Sequence, residues 1–319
     1  MKPDRVPRAL SRDNALAHGV LAAYRAAVRR YAGKPWVTGV SISMRERDGD
    51  LLAEEGPVIA IHVRRKVRRR ERVPKSQRIP TRILGIPTDV IEGDYRWRHG
   101  SAPVPIATDS ELRPGHSIAR SDGSAGTFGA VVMHDTGRCL LTAAHVLREG
   151  GRGRRGDRIV HPGPADAHHA APRPVARYAT VHLGMDAGLA TLEDGVTASN
   201  LALVTGVAIG APAVAEIGDI VEKVGRSTQV TQAVVQGLGT FLDLWPAMHL
   251  RPVAGDLDPE PLSERGDSGA VWYRLRDGAA IGLHCAGSGA TAAGLEYGVA
   301  TMLPWVLQGL RASWPEDTA

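Results

Sequence analysis

Only two of the 319 residues are cysteine, Cys139 and Cys285, so no disulfide framework can hold this chain together. Aromatic residues make up 4% of the total, which leaves the core to Ala, Val, Leu and Ile and provides few rings for base stacking. No run approaches the roughly 18 consecutive apolar residues that a membrane-spanning helix needs, because charge or glycine interrupts even the best apolar windows. The opening MKPDRVPRALSRDN carries charge and proline where a secretory leader needs an apolar stretch. These shortages exclude a disulfide-held miniprotein and a helical membrane protein, and they predict a cytoplasmic protein with two reduced, buried thiols. Turn chemistry is abundant instead: 37 Gly and 21 Pro favour many short strands over a helical bundle.

Residues 10–33, LSRDNALAHGVLAAYRAAVRRYAG, place Leu16, Val20, Leu21, Tyr24 and Val28 at spacings near three and four. With Ser11 as cap and Gly33 as stop, this pattern predicts one amphipathic helix. Strand-like patterns follow at 37–45 and 56–63. Between Arg64 and Arg82 ten Lys or Arg stand against one Glu, a local excess of nine in a chain whose formal charge is +5, so the basicity is local. It reads first as a solvated loop or hairpin that keeps a sheet edge soluble; an acidic protein partner for residues 64–82 is the next reading. Nucleic acid is disfavoured by the lack of interleaved aromatics and of any known binding module. Ile-Pro-Thr then occurs at Ile79 and again at Ile86, each proline forcing its predecessor into extended backbone. Residues 94–115 are proline-punctuated and predict a boundary near 105. That divides the chain into a small α+β unit with the basic segment, 1–105, and a larger unit, 106–319.

The larger unit is a succession of short apolar runs separated by Gly and Asp turns, the pattern of an all-β pair of barrels. Asp135-Thr136-Gly137 reads as a tight hairpin turn, and residues 304–312 as a closing helix with proline in its first turn. Within it, Gly266-Asp267-Ser268-Gly269 puts a serine between glycines in a turn that can aim its hydroxyl outward. A serine hydroxyl is a weak nucleophile at neutral pH; it needs an imidazole to take its proton and a carboxylate to fix the imidazole tautomer. His145, closing the run CLLTAAH, and Asp186, opening DAGLATL, supply both.

Thr142-Ala143-Ala144-His145, then Asp186 before an apolar strand, then Gly266-Asp267-Ser268-Gly269, in that order and 41 and 82 residues apart, resemble the chymotrypsin-like (trypsin-like) serine peptidases. The resemblance covers about residues 115–311. It implies two six-stranded antiparallel β-barrels with a C-terminal helix, preceded here by the small α+β unit. It also implies His145 as general base, Asp186 as its orienting carboxylate, Ser268 as nucleophile, and the backbone N–H groups of Gly266 and Ser268 as the oxyanion site. The implied activity is serine endopeptidase hydrolysis of a protein or peptide substrate, with no cofactor and no metal. The alternative is a protein-interaction module on an inactive or auxiliary peptidase fold. Specificity falls to Leu262, six residues before the nucleophile where an acidic residue would read Arg or Lys, and to His284, Cys285, Ala286 and Gly287. Leu262 and the Cys285 thiol imply a small or apolar side chain before the cut; His284 offers an acidic one as the alternative.

Departures from the family pattern are Ala270 in place of the usual glycine after the motif, and Val146 after His145, where secreted relatives place a disulfide. Asp267 would pair with a freed N-terminus in secreted relatives. Here an internal cation, backbone hydrogen bonds, or a cut before Ile118 could fill that role, and regulation without a cut is the preferred reading. Gly126-Thr127-Phe128-Gly129 and Ile86-Pro87-Thr88-Asp89-Val90 further resemble bacterial cytoplasmic trypsin-like proteins with a basic N-terminal unit, some suspected of antiviral or stress roles. His161, Asp166, His168 and His169 crowd one proline-broken stretch and read as a solvated loop rather than a metal site.

Overall fold

The structure, a computed structural model, describes residues 14–47, 50–67, 73–97, 110–168, 170–253, 261–289, 291 and 295–316. Ser11, the centre of the basic run (68–72), His169 and the boundary expected near 105 lie outside the described residues.

The N-terminal unit consists of α1 (Asn14–Tyr31), β1 (Val37–Arg47), β2 (Asp50–Val63), β3 (Arg82–Ile83), β4 (Ile86–Glu92) and β5 (Arg96–Trp97). Val20, Ala23, Tyr24, Ala27 and Tyr31 recur every three or four residues along α1 and are buried against Val40, Ile42, Ile59, Ile61 and Val63 of the first two strands. Residues 58–63 form a continuous buried run because β2 is covered on both faces and flanked by β1 and a parallel β4. The second Ile-Pro-Thr lies in β4, and Asp89 after it accepts the Glu46 N–H at 3.0 Å, tying β4 to the end of β1.

The first barrel comprises β6 (Ser117–Arg120), β7 (Gly126–Thr127), β8 (Ala130–His134), β9 (Gly137–Ala143), a one-turn helix α2 (Ala144–Leu147), β10 (Arg158–His161), β11 (Arg173–His182) and β12 (Ala187–Leu192). Its sheet runs β7-β6-β10-β11-β12-β9-β8. Only Phe128 and Gly129 separate β7 from β8, so they form one bent strand whose two halves pair with opposite ends of the sheet and curl it into a ring. The expected turn at Asp135 joins β8 to β9, with His134 opposite Gly137. Both faces of β9 are buried: Leu140 points into the barrel with Ile118, Phe128 and Ile159, while Cys139 and Leu141 point out toward the second barrel.

The second barrel comprises β13 (Gly210–Pro212), β14 (Ile220–Gly225), β15 (Gln229–Phe241), β16 (Leu244–Pro252), β17 (Val271–Arg274), β18 (Ala279–Gly287) and β19 (Gly298–Met302), followed by α3 (Leu303–Leu310). The order β14-β17-β18-β19-β16-β15 closes on itself through a β14–β15 ladder, a six-stranded barrel with β13 appended to β18. Val224, Val271, Tyr273 and Leu283 share a core with Val132, Leu141 and Leu189 of the first barrel, and Leu303, Val306 and Leu310 of α3 cap that interface. The chain thus has the trypsin-like two-barrel fold, with the C-terminal helix at 303–310.

The N-terminal sheet and the second barrel form one sheet. The 13-residue β15 pairs its first half with β14 and its second half with β1, in the register Gly39↔Phe241 to Ser43↔Gly237. Gly39 is required there, since a Cβ would overlap the buried Phe241 ring. Behind this seam Tyr95 Oη lies 2.7 Å from His62 Nδ1 and 2.8 Å from His249 Nε2, and His62 Nε2 is 2.9 Å from Ser41 Oγ. Burial depresses both imidazoles, His249 to about 3 with help from Arg251, so the cluster is neutral. Tyr297 and Gln236 donate to Glu46 across the same seam, at 2.9 and 3.0 Å.

Candidate active site

The pairing of β9 with β12 positions the first two functional side chains. Ala143 lies opposite Ala187, so Asp186, just before β12, stands across from Ala144, where α2 begins. Asp186 adopts left-handed backbone (φ 47°) and its carbonyl accepts the Ala144 N–H at 3.0 Å. Its carboxylate grips His145 twice, accepting the backbone N–H at 3.0 Å on Oδ1 and facing Nδ1 at 2.7 Å through Oδ2. The Asp186 side chain is 7% exposed and that of His145 14%, so the pair is shielded from bulk water.

The Ser268 loop packs on the same strand end. Gly269 (φ 95°) lies so close to β9 that a Cβ would meet Thr142 Oγ1 and come within 2.9 Å of the Ala143 nitrogen and 2.6 Å of the Thr127 carbonyl. Thr127 N–H donates to the Ser268 carbonyl at 2.9 Å, its hydroxyl donates to the Gly266 carbonyl at 2.8 Å, and Thr142 Oγ1 donates to the Thr127 carbonyl at 2.8 Å. The Gly126-Thr127-Phe128-Gly129 stretch is therefore a bracket between the barrels that presses the serine turn against the residues leading to His145. Gly266 (φ 108°) has no room for a side chain either, since a Cβ would sit 2.5 Å from both Arg226 Nη1 and Ser227 Oγ.

Asp267 is fully buried. Its Oδ1 accepts the N–H groups of Ser227 at 2.8 Å and Thr228 at 3.1 Å; its Oδ2 accepts from the Thr228 hydroxyl at 2.7 Å, Glu264 N–H at 2.9 Å and Lys223 Nζ at 3.3 Å. Burial alone would raise this carboxyl, but the Lys223 charge, with the Glu264 and Thr228 donors, holds it below the usual carboxylate range. Lys223 is itself buried, pulled down by desolvation against the opposing pull of Asp267, and its ammonium lies 5.4 Å from the Trp272 ring centre. Of the partners open to Asp267, an internal cation and backbone N–H groups both occupy it.

A second buried pair lies behind the loop. Arg226 Nε donates to Asp166 Oδ2 at 2.7 Å and Nη2 donates to Oδ1, in a bidentate bridge with both side chains at 0% exposure. Asp166, read from sequence as part of a solvated loop, is buried and clamps the second barrel to the first. Ser117 also donates to it at 2.5 Å. His161 Nδ1 faces the Ser117 carbonyl at 2.8 Å and its ring packs on His116. Among the described residues no group of three His, Cys, Asp or Glu is placed to hold a metal ion.

The residues expected to set specificity separate into two groups. Leu262 and His284 flank Gly298, 3.4 and 3.6 Å from where its Cβ would be, and both are 2% exposed. Trp272 Nε1 donates to His284 Nδ1 at 3.3 Å, which leaves the ring proton on Nε2 when the imidazole is neutral. Cys285 and Ala286 instead pack with Ala60, Ile91, Tyr95 and Tyr297 of the seam, and the Cys285 thiol donates to the Val299 carbonyl at 3.2 Å. Burial raises this thiol well above its usual range. Both cysteines are free and buried.

Lys223, Arg226, Asp166, Thr127 and Thr142 were not identified from sequence as parts of the site. Lys223 carried a signal: alternation along DIVEKVG puts it on the face of Val221, so its charge had to be buried and paired.

No protein-family profile and no curated protein matches the sequence. Solved structures similar in arrangement are a glutamic acid specific serine protease described as using a histidine triad in substrate binding (17% identity, 64% of this chain and 100% of that one, TM-score 0.48), a Nocardiopsis protease (15%, 65% and 100%, 0.47) and a Cellulomonas bogoriensis chymotrypsin (17%, 64% and 98%, 0.46).

Proposed function

We propose that the chain is a serine endopeptidase acting through His145, Asp186 and Ser268. The observation that carries this reading is the Nδ1 contact of His145 to Asp186 at 2.7 Å, at a strand end against which the Ser268 turn is packed. With its proton on Nδ1 and hydrogen-bonded to the Asp186 carboxylate, His145 presents Nε2 as the base. The Ser268 hydroxyl loses its proton to Nε2 as the oxygen attacks the substrate carbonyl carbon. The N–H groups of Gly266 and Ser268 take up the negative charge on the carbonyl oxygen. The C–N bond then breaks as the imidazolium protonates the leaving amine, and the resulting ester is hydrolysed by water through the same base. Asp267 acts as a positioning residue, because its bonds to Glu264, Ser227 and Thr228 set the backbone between Gly266 and Ser268.

The substrate is a protein or peptide. Leu262 in the pocket wall favours a small or apolar side chain before the cut, and the His284 Nε2–H would serve an acidic one. The free, buried Cys139 and Cys285 fit a reducing, cytoplasmic setting for a specific intracellular substrate, with the N-terminal unit as an attachment. A fluorophosphonate probe is expected to label the wild-type protein and not Ser268→Ala; no labelling of either protein, at any pH between 6 and 9, overturns the reading. Mapping of new protein N-termini made by the wild type and absent with Ser268→Ala would then identify the residue before the cut.

A further inference from the structure

Strand β18 has two edges, and along His284–Gly287 they are used differently. One edge pairs with β19 through His284↔Ala300, Ala286↔Val299 and Gly287↔Gly298. The other is taken in sequence by three pieces of chain. It carries β17 as far as Leu283, then the serine turn, where Gly269 N–H donates to the His284 carbonyl at 2.9 Å and His284 N–H donates to the Ala270 carbonyl at 2.8 Å. It ends with β5 of the N-terminal unit, antiparallel, with Trp97 opposite Ala286 and Arg96 opposite Gly287. Since Ala286 and Gly287 already have partners on β19, β5 must occupy the edge that faces the serine turn. The antiparallel sense points the C-terminal end of β5 along β18 toward His284, whose backbone is bonded to Gly269 and Ala270, the two residues that follow Ser268.

An extended peptide that is to present a carbonyl to Ser268 needs backbone partners beside that serine, and the β18 edge that is bonded to the serine turn at His284 continues to Ala286–Gly287. Adding a strand to an open edge is a general way for a protein to hold a peptide, because the main-chain bonds are independent of sequence. That place is filled by the chain's own Arg96 and Trp97. They are anchored: Tyr95, immediately before them, is 1% exposed with its hydroxyl between His62 and His249, and Asp94 holds Arg64 at 2.5 Å and accepts Arg96 Nε at 2.8 Å.

We propose that β5 is a tethered strand occupying the peptide-docking edge at Ala286–Gly287, which must be vacated before a substrate strand can pair there. This rests on the peptidase reading for its purpose, though not for its test. A tethered segment competes at an effective concentration on the order of millimolar. Where the edge is vacant in a tenth of the molecules or fewer, apparent affinity for an incoming peptide falls tenfold or more.

The experiment uses the full chain carrying Ser268→Ala, so that nothing is cleaved, and reads binding by fluorescence anisotropy. The probe is fluorescein-labelled, reduced and carboxymethylated α-lactalbumin, a permanently unfolded polypeptide. Arg96→Pro/Trp97→Pro, which removes both β5 amide donors, is expected to bind the probe at least tenfold more tightly; unchanged binding by a variant that still unfolds cooperatively overturns the proposal. The reverse arm places Trp97→Cys opposite Ala286→Cys. The oxidised, cross-linked protein is expected to bind at least tenfold more weakly than the same protein after dithiothreitol. Equal binding in the two states, or failure of the cross-link to form, overturns it as well. Phosphonate labelling with Ser268 intact separates the two readings. Tighter binding by the proline variant with no labelling of any protein removes the peptidase and keeps the tethered strand. Labelling with binding unchanged in both arms removes the tethered strand and keeps the peptidase.

Discussion

The second barrel is held from two sides by different chemistry. Toward the first barrel it shares an apolar core and is clamped by a charged pair, Arg226 with Asp166; a second charged pair, Lys223 with Asp267, lies within the second barrel under the serine turn, and both pairs are buried to 0% exposure. Toward the N-terminal unit they are a shared strand, an apolar cluster and the neutral relay Ser41–His62–Tyr95–His249. Ion pairs in a dry interior stabilise little beyond what an apolar replacement would, but they are directional and intolerant of losing one member. They are found here where the backbone of 264–269 has to be aimed. The seam with the N-terminal unit is built from burial, a ladder and hydrogen bonds, with no ion pair among those named.

Breaking the charged side one partner at a time should give the largest effects. Arg226→Met leaves a carboxylate buried without its partner and is expected to cost about 3–5 kcal/mol in urea unfolding, whereas Arg226→Met with Asp166→Leu should recover most of it. A double variant as unstable as the single would show that the charge itself is needed. Lys223→Met should slow phosphonate labelling of Ser268 by about 100-fold or more, as loss of an oxyanion donor does elsewhere. Asp267→Asn in that background should restore part of the rate; a Lys223→Met protein labelled at the wild-type rate would detach the pair from the serine turn. On the neutral side Tyr95→Phe removes the hydroxyl shared by two imidazoles and should cost about 1–3 kcal/mol.

Acid sharpens the contrast by separating the two sides in pH. His249 has a folded pKa of about 3 against an ordinary 6.5, so the folded state binds its proton less readily than the unfolded one. The stability it contributes is full above 6.5 and is lost as pH falls from there toward 3, at up to about 1.4 kcal/mol per pH unit. Asp267, whose carboxyl is also depressed, begins to lose its contribution only below its ordinary 3.8. Urea midpoints measured from pH 7 to pH 3 should therefore fall less steeply in His249→Phe, with the share of the buried His62 remaining, and keep the wild-type slope above pH 4 in Asp267→Asn. The opposite assignment would overturn the division.

The sequence made the outline readable where a short stretch sufficed. The period of α1, the turn at Asp135, the glycines around Ser268 and the proline of α3 each depend on local backbone demands. Asp166 was misread because its surroundings look like a polar loop, and nothing local shows that Arg226, 60 residues on, lies across from it. His62 sits in an otherwise apolar run, which signals burial but not the Tyr95 and His249 that receive it. Cys285 was assigned to the pocket by the family resemblance, which has no counterpart of the N-terminal residues Ala60, Ile91 and Tyr95 that cluster with it. β5 is two residues long, too short for any pattern, and only its pairing reveals its place.

The double use of β15 has a consequence for anyone who would work with the barrels alone. A chain begun at residue 110 would leave the backbone of Gly237–Phe241 unpaired on one side and strip β1 from the Phe241 ring, which is 0% exposed in the whole protein. That is an open, adhesive margin of the kind that recruits strands from neighbouring molecules. The N-terminal unit covers that margin in the whole protein, and a shortened version is expected to self-associate before it can be assayed.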